Sequence, residues 1–263
     1  MDLIQTITLG FIQGLTEWLP VSSTGHLRIT ERLMGLQVPL LFDVSLHVAT
    51  LLVILLFFRA DVKNVLVALG KRDFKSENGK LIPLIVVGTV PTALLGVVFG
   101  DTLDRNFNSL MALGAGFIVS GVVLFGSRFS HERKDDITYV DALLIGIAQG
   151  TALIPSISRS GTTIALALLL GIKREKAFKF SFLLSIPAVM GALGLTLYQQ
   201  SAALAFAGVG LAEIIVGFVV TVVVSFPALL LLWRILASKK FYVFAFYCWL
   251  LGITFVILSF GGF

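Results

Sequence analysis

Two short polar segments stand out in this sequence because they place ionisable and hydroxyl side chains between long apolar stretches. Residues 13–26, the first polar segment, read QGLTEWLPVSSTGH, and residues 149–163, the second polar segment, read QGTALIPSISRSGTT. Each has Gln-Gly, then a proline, then a cluster rich in Ser, Thr and Gly. A carboxylate, an imidazole, a guanidinium and several hydroxyls are the groups that hold a phosphate and break a phosphoanhydride bond.

The prolines indicate how these segments can bind an anion. Pro20 and Pro155 each end the helix before them, and the hydroxyl residues that follow are good N-caps for a new helix. A helix N-terminus presents unpaired N–H groups and a positive dipole end, which favours an anion. Two such ends facing each other, with Arg159 as a planar fork of donors, predict a site for a phosphate or diphosphate.

Individual residues of the two segments suggest individual roles. Gln13 and Glu17 stack on one helical face, where Glu17 can orient a water or hold a divalent cation that bridges diphosphate oxygens. His26 follows Ser23 by three residues, close enough to act as a base or as a proton donor. The nucleophile is either Ser23 or a water. The further hydroxyl donors are Ser22, Ser158, Ser160 and Thr163.

Less specific interpretations compete with these roles. Hydroxyls in membrane helices often only bond neighbouring helices, and a mutual salt bridge is the simplest explanation of Glu17 and Arg159. Ionisable groups at membrane depth are nevertheless functional by default. His47, within an apolar stretch, is either a packing histidine or a member of a proton relay, whereas Asp43 and His131 suggest no role.

The composition is that of a membrane protein. Of 263 residues, 57% are hydrophobic and only 13% are charged, and the mean hydropathy is +0.98. A soluble domain of this length needs more charged surface, so the bilayer is the expected solvent. Each of six apolar stretches is close to the roughly 20 residues that cross a hydrocarbon core. They lie at 40–58, 81–100, 109–127, 180–198, 207–233 and 241–260.

The basic residues do not indicate a nucleic-acid partner, although the net charge is +5. They lie at the ends of apolar stretches, which is how membrane proteins mark cytoplasmic loops. This pattern places the C-terminus outside, and it also places Arg28 and Arg32 on the outer side, against the usual bias. The stretch before Pro20 lacks the features of a cleaved signal peptide, so we expect it in the mature chain. Cys248 is a single cysteine and predicts no disulfide within the chain.

An internal repeat organises the chain into two halves, residues 1–130 and 137–263, within a single membrane domain of residues 1–263. A shift of 136 positions gives collinear matches from end to end. The matched pairs are Gly10 with Gly146, Gln13 with Gln149, Gly14 with Gly150, Ser22 with Ser158, Gly25 with Gly161, Phe42 with Phe178, Ser45 with Ser181, Pro91 with Pro227, Gly116 with Gly252 and Gly126 with Gly262.

The charges of equivalent loops predict that the second half is inverted in the membrane. The loop from Arg59 to Lys75 is basic, whereas its counterpart at 199–201 is uncharged. The next pair shows the reverse bias, since residues 101–105 are mixed and 234–240 are basic. We therefore predict an all-α integral membrane protein, a polytopic helical bundle of two inverted-topology repeats. Each repeat has a re-entrant broken helix plus three transmembrane helices.

The polar segments resemble the signatures of a known family. Residues 13–17 (QGLTE), 19–26 (LPVSSTGH) and 157–161 (ISRSG) are similar to motifs of the BacA-type undecaprenyl-diphosphate phosphatases, and the likeness covers essentially the whole chain. It implies hydrolysis of a polyprenyl diphosphate lipid to its monophosphate, which recycles the carrier of peptidoglycan synthesis and gives bacitracin resistance. It further implies a plasma-membrane location, a site opening to the outer side, a divalent cation (Mg²⁺ or Ca²⁺) and a homodimer.

The resemblance also assigns residues. Its catalytic residues fall on Glu17, Ser23, His26 and Arg159, with Glu17 also the metal ligand. The assigned substrate-binding residues are Gln13, Ser22, Thr24, Gly25, Ser158, Ser160, Gly161 and Thr163. Gln13 stands where many members have Glu, which places more of the metal binding on Glu17. Ser156 stands where the usual pattern has Gly, which predicts a different backbone in the turn before Ser158.

Two other functions compete with this hypothesis. Inverted repeats with broken helices are also a transporter architecture, so a polyprenyl-phosphate transporter or flippase using the same site is the alternative. The side chains of Glu17, Ser23 and His26 beside Arg159 favour hydrolysis over transport. A phosphatidic-acid-type phosphatase is excluded, because that superfamily needs a histidine after its Ser-Arg motif and none follows His131.

Overall fold

The fold is known from a computed structural model, which describes residues 1–199 and 210–261 apart from the side chains of residues 101, 104 and 105. Four features of the sequence therefore lie outside the described residues: the start of the stretch at 207, most of the uncharged connection at 199–201, the match at Gly262, and the side chains of the mixed loop at 101–105. Within the described ranges the regular secondary structure is helical.

Eleven α-helices are present in these ranges. They are α1 (Leu3–Thr16), α2 (Ser23–Met34), α3 (Leu40–Phe57), α4 (Arg59–Gly70), α5 (Leu81–Asn106), α6 (Leu110–Gly126), α7 (Tyr139–Thr151), α8 (Arg159–Leu169), α9 (Arg174–Gln199), α10 (Leu211–Ala237) and α11 (Phe244–Phe260). Six spans, based on α3, α5, α6, α9, α10 and α11, are long and apolar enough to cross a membrane. The prediction of a polytopic all-α membrane protein is confirmed.

The chain breaks where the two polar segments predict it. Helix α1 ends at Thr16 and α2 begins at Ser23, so the first break contains Pro20; α7 and α8 flank the second break, which contains Pro155. The predicted caps are confirmed: Ser22 Oγ accepts a hydrogen bond from the Gly25 backbone N–H at 3.3 Å, and Ser158 Oγ accepts one from Gly161 at 3.1 Å.

Two serines in these breaks have backbone conformations that glycine favours. Ser22 has φ 66° and Ser156 has φ 69°, both in the left-handed region that non-glycine residues rarely adopt. The resemblance expects Gly at position 156 and a different backbone for Ser, but Ser156 takes a conformation that glycine itself favours. The chain therefore turns sharply at both breaks before the next helix starts.

Small residues bring the short broken helices close to long helices of the other half. A Cβ on Gly146 of α7 would lie 2.1 Å from the Gly88 oxygen of α5, and one on Gly10 of α1 would lie 2.8 Å from the Gly217 oxygen of α10. A threonine hydroxyl then crosses each contact: Thr92 donates to the Gly146 oxygen at 3.0 Å, and Thr221 donates to the Gly10 oxygen at 3.1 Å. Such close approach is typical of helix packing in membranes.

An aromatic and aliphatic core lies around α8 and the first half of α9. Trp18, at the first break, packs on Phe182 with ring centroids 5.6 Å apart, and Phe182 packs on Phe178 and Phe58. Ile164 and Leu168 of α8 are fully or almost fully buried in the same cluster. The breaks are therefore enclosed by protein, which is the condition under which irregular backbone is tolerated at membrane depth.

Ion pairs join three segments at one end of the bundle. Lys173 and Arg174 at the start of α9 pair with Asp135 and Glu132 of the 127–138 connection, and Lys179 pairs with Asp61 of α4. The hydrogen bond from Lys173 is the main reason that the pKa of Asp135 lies below its usual value. The start of α4, the 127–138 connection and the start of α9, all rich in charged residues, thus lie together at this end.

We expect Gly146→Ala to destabilise the fold. The added methyl group would overlap the Gly88 backbone, and forcing extra volume into a packed contact costs typically about 1–3 kcal/mol. Thermal unfolding in detergent measures the loss. Gly191→Ala is the matched control, because a Cβ on this exposed glycine of α9 meets no atom within 4 Å. Equal melting temperatures for the two variants would contradict the proposed tight contact between α5 and α7.

Candidate functional site

The breaks of the two polar segments are in direct contact inside the bundle. A Cβ on Gly161 would lie 3.2 Å from Cβ of Pro20, and one on Gly25 would lie 2.7 Å from Oγ of Ser156. Ser160 Oγ also donates a hydrogen bond to the Trp18 carbonyl oxygen at 3.1 Å. The N-termini of α2 and α8 therefore lie beside each other, as the sequence predicts for an anion site.

A small polar cavity of about 120 Å³ lies between the two breaks. Its walls carry a carboxylate, a guanidinium, an imidazole and several hydroxyls, which is the set of groups that binds and transforms a phosphate. The lining residues are Thr16, Glu17, Ser22, Ser23, Thr24, His47, Ala152, Ile157, Ser158 and Arg159. Six of these are site residues predicted from the sequence: Glu17, Ser22, Ser23, Thr24, Ser158 and Arg159.

Glu17 accepts hydrogen bonds from residues of three helices around the cavity. Its Oε1 accepts a hydrogen bond from Arg159 Nη2 at 2.6 Å, and its Oε2 accepts one from Ser23 Oγ at 2.7 Å. Gln13, one turn earlier on α1, donates to Oε2 at 3.3 Å, in line with the predicted helical stacking of the two residues. One carboxylate therefore joins the end of α1 to the starts of α2 and α8. The salt bridge between Glu17 and Arg159, which the sequence offers as the simplest alternative to a functional role, is present.

Arg159 keeps unpaired hydrogen-bond donors after it pairs with Glu17. Its side chain is 17% exposed and that of Glu17 is 13% exposed, so the pair is largely removed from solvent. Only Nη2 contacts Glu17; Nη1 is buried and has no hydrogen-bond partner among the residues that the structure describes. A buried charged donor without a partner is unfavourable, so this nitrogen indicates a place for an anionic oxygen.

Other predicted residues support the breaks without lining the cavity. Gly25 and Gly161 allow the close contacts between the two breaks, and Thr163 donates to the Arg159 carbonyl oxygen at 2.8 Å. Ser120 of α6, which the sequence does not identify as a site residue, also supports the second break. It accepts a hydrogen bond from Ser158 N–H and donates one to the Ser156 carbonyl oxygen, each at 3.0 Å. A serine in an apolar helix gives no signal of such a role.

His26 does not line the cavity. Its Nδ1 lies 2.7 Å from the Ser22 carbonyl oxygen, which can only accept, so Nδ1 carries the proton. Its Nε2 lies 2.8 Å from the Tyr247 hydroxyl, which then donates to it, and the ring packs against Tyr247 and Phe117. Both ring nitrogens are therefore occupied. Tyr247, an aromatic residue in an apolar helix, could not be identified from the sequence as a partner of His26.

The described part of the chain contains no group of three or more His, Cys, Asp or Glu side chains arranged to hold a metal ion. Glu17 is the carboxylate of the polar cavity, and the Oε1 of Gln13 beside it is buried without a partner within the described ranges. Mg²⁺ is usually bound by one or two carboxylates together with substrate phosphates and waters. This donor set fits a cation that is shared with a bound diphosphate, and it does not fit an all-protein metal cage.

Comparison with known proteins places these residues in context. The family described as bacitracin resistance protein BacA matches residues 6–254. A protein of Carboxydothermus hydrogenoformans named undecaprenyl-diphosphatase is 42% identical over 269 residues, which cover 100% of this chain and 99% of that protein. Relatives with the same name are 39% identical in Desulforapulum autotrophicum, over 99% of both chains, and 38% identical in Methanosphaera stadtmanae, over 98% of this chain and 99% of that one.

We expect Glu17 and Arg159 to be strongly coupled in stability. Removing one partner leaves a buried charge unpaired, which costs about 3–5 kcal/mol, whereas removing both removes that penalty. Glu17→Gln, Arg159→Gln and the double variant, unfolded by denaturant in detergent, form the cycle that measures the coupling. Lys176→Gln, which breaks the exposed pairs with Asp136 and Glu77, is the control and is expected to cost less than about 1 kcal/mol. Additive losses for Glu17 and Arg159 would contradict the coupling.

Proposed function

Because the chain belongs to the family of bacitracin resistance protein BacA, we propose that it is an undecaprenyl-diphosphate phosphatase. The enzyme hydrolyses the phosphoanhydride bond of a polyprenyl diphosphate, releases inorganic phosphate and leaves the lipid monophosphate. This reaction returns the carrier lipid to cell-wall synthesis. Three relatives that match this chain over nearly its full length carry the name of that activity.

One observation carries the proposal at the level of the site. Arg159 pairs with Glu17 through one terminal nitrogen and keeps the other unpartnered, in a cavity that Ser23 also lines. The terminal phosphate of the substrate supplies the missing acceptor oxygens. The N-termini of α2 and α8 add backbone N–H groups and positive dipole ends on the same side.

We assign the attack on phosphorus to Ser23. Its hydroxyl already donates to Glu17 at 2.7 Å, so the carboxylate is placed to take the proton as Oγ bonds to the terminal phosphorus. The bond between that phosphorus and the bridging oxygen breaks, and the lipid monophosphate leaves with the electron pair. Arg159 stabilises the negative charge that develops on the phosphoryl oxygens. A water then hydrolyses the phosphoserine and releases phosphate.

His26 has a supporting role in this mechanism. Its Nδ1–H bond to the Ser22 carbonyl oxygen braces the turn that places Ser23. To exchange a proton with Ser23, the imidazole would first have to lose its bond to Tyr247. We therefore assign His26 to positioning the start of α2. Gln13, Ser22, Thr24 and Ser158 surround the phosphate or Glu17. Gly25, Ser160 and Gly161 hold the two breaks together, and Thr163 bonds the Arg159 carbonyl oxygen within α8.

We propose that the cation enters with the substrate. Glu17 and the amide oxygen of Gln13 would hold it from the protein side, and the diphosphate oxygens would complete its ligands. When bound, it would neutralise charge on the diphosphate.

The inverted repeat is part of the same proposal, and the packing supports it. Helix α1 of the first half packs on α10 of the second, while α7 of the second half packs on α5 of the first. Gly114 and Gly252 meet reciprocally, since a Cβ on either would lie within 2.8 Å of the other's carbonyl oxygen. Helices α6 and α11 therefore cross as a pair related by a two-fold axis would.

These contacts favour a different register from the matches in the sequence. The Gly88 to Thr92 stretch of α5 corresponds to Gly217 to Thr221 of α10, because both bind the partner helix in the same way. Gly114 likewise takes the place that the sequence repeat gives to Gly116. The two halves are thus equivalent at their polar segments and offset elsewhere.

Sidedness follows from the basic end of the bundle. The positive-inside rule places the ion-paired loops of α4 and α9 in the cytoplasm of a plasma-membrane protein. The connection between α2 and α3 then lies outside. His47 lies nearer the start of α3 than its end, which supports a cavity that opens outward.

The homodimer rests on the family resemblance alone. Transport is the less favoured function, because Ser23 bonded to a carboxylate serves hydrolysis.

The hydrolase assignment is tested by phosphate release from a polyprenyl diphosphate in detergent. We expect wild type to be active, and Arg159→Ala and Ser23→Ala to lower kcat by at least about 100-fold, because each removes a group that acts on the transition state. The matched controls are Arg133→Ala and Ser238→Ala, which change exposed residues at the basic end. Wild-type rates in Arg159→Ala would refute the site, and an inactive wild type would refute the function.

Binding of the cation is tested without turnover. Mg²⁺ or Ca²⁺ should raise the melting temperature only when a non-hydrolysable methylene diphosphonate is also present, because the protein alone lacks enough ligands. Glu17→Gln should abolish this joint effect, whereas Glu132→Gln, at the exposed end of the bundle, should keep it. Stabilisation by the cation alone would instead indicate a resident metal site.

A further inference from the structure

One ionisable group of the polar cavity has no part in the mechanism above. His47 of α3 lines the cavity together with Glu17, Ser23 and Arg159, although it belongs to neither polar segment. Its side chain is 31% exposed, although most residues of its helix are apolar. An ionisable group at this depth calls for an explanation beyond packing.

The hydrogen bonding of His47 determines which ring nitrogen faces a substrate or water. Its Nδ1 lies 3.0 Å from the Asp43 carbonyl oxygen, one turn earlier on α3. A carbonyl oxygen only accepts, so Nδ1 carries the proton and Nε2 keeps its lone pair in the neutral ring. No hydrogen bond to Nε2 is formed by the described residues. The imidazole is therefore held in the tautomer that can accept a proton.

Asp43 is placed to support a positive charge on this ring. Its carboxylate Oδ1 lies 3.7 Å from His47 Nδ1, too far for a good hydrogen bond but within the range of a Coulomb attraction. An aspartate beside the protonated nitrogen of a histidine base has this role in other hydrolases: it keeps the orientation of the ring and stabilises the imidazolium.

The two histidines differ in what they can do. His26 has both nitrogens engaged, by Ser22 and by Tyr247, and it lies outside the cavity lining. His47 has one nitrogen anchored and the other available inside that lining. The charged groups that act on His47 are Asp43 of its own helix, Glu17 at the end of α1 and Arg159 at the start of α8.

We propose that His47 is a catalytic base of this reaction and that Asp43 is its positioning residue; the inference rests on the proposed phosphatase function. Nε2 takes one proton from the water as the water oxygen bonds to the phosphorus of the phosphoserine. The bond from phosphorus to Ser23 Oγ breaks, and Oγ recovers its proton from the Glu17 carboxyl. The imidazolium then gives its proton to the departing phosphate or to solvent, which restores the starting state.

The test compares pH profiles of kcat for phosphate release from a polyprenyl diphosphate. In wild type, kcat falls toward acid pH as the base becomes protonated. In His47→Gln we expect kcat to fall about 100-fold, within the usual contribution of a general base, with KM changed less than about three-fold. The acid limb between pH 5 and 8 should disappear. A merely structural histidine would lower activity without removing that limb.

Asp43→Asn keeps the test informative if the His47 variant folds poorly. We expect a smaller loss of kcat, about ten-fold, and an acid limb moved to lower pH, because the imidazolium loses the carboxylate that stabilises it. His26→Gln should retain the wild-type limb, and His131→Gln, in the exposed connection before α7, should match wild type throughout. Monodisperse elution in detergent checks that each variant is folded.

The outcomes separate the two hypotheses. Wild-type kcat in His47→Gln, or an acid limb that survives in His47→Gln and vanishes in His26→Gln, overturns the role of His47 and leaves the phosphatase intact. A wild type that releases no phosphate overturns the phosphatase and the base together, before any variant is compared. Loss of the limb in His47→Gln with its displacement in Asp43→Asn supports the pair.

Discussion

The ion pair between Glu17 and Arg159 is the contact on which the site depends. It joins the end of α1 to the start of α8, two elements that lie 142 residues apart in the sequence. Both side chains are largely removed from solvent, so neither charge is tolerable without the other. The same carboxylate receives the Ser23 hydroxyl, which brings α2 to the same point. A single buried charge pair therefore organises three helix ends around one cavity.

The two breaks between helices impose the next constraint. Each break leaves backbone groups without helical hydrogen-bond partners, so the fold must bond or enclose them. Ser22 and Ser158 cap the new helices, Ser120 bonds the backbone of the second break, and Trp18 with its phenylalanine neighbours covers both. Glycines on the short helices let the long helices approach closely enough to complete this enclosure. Because the backbone of both breaks is capped and enclosed in this way, the side chains of Glu17, Ser23 and Arg159 line the cavity.

The division of work between the two histidines depends on orientation. Sequence spacing puts His26 close to Ser23, because residues three positions apart lie on a similar face of a helix. The spacing does not determine the direction in which the imidazole ring points. Tyr247 and Phe117, from distant helices, hold that ring outside the cavity lining. His47 is remote in sequence from every motif, yet its helix brings it into the lining. A motif can name the residues of a site, while the packing of other helices decides which of them face inward.

By itself the sequence determined the membrane environment, the six long spans, and the two breaks with their caps. These follow from local properties: hydropathy over about 20 residues, proline geometry and hydroxyl capping. Only the tertiary structure decided the pairing of Glu17 with Arg159, the contacts of Ser120 and Tyr247, and the placement of His26 outside and His47 inside the cavity lining. Those features depend on contacts between helices far apart in the chain, where a rotation of one residue, about 100°, turns a side chain from the cavity to the lipid.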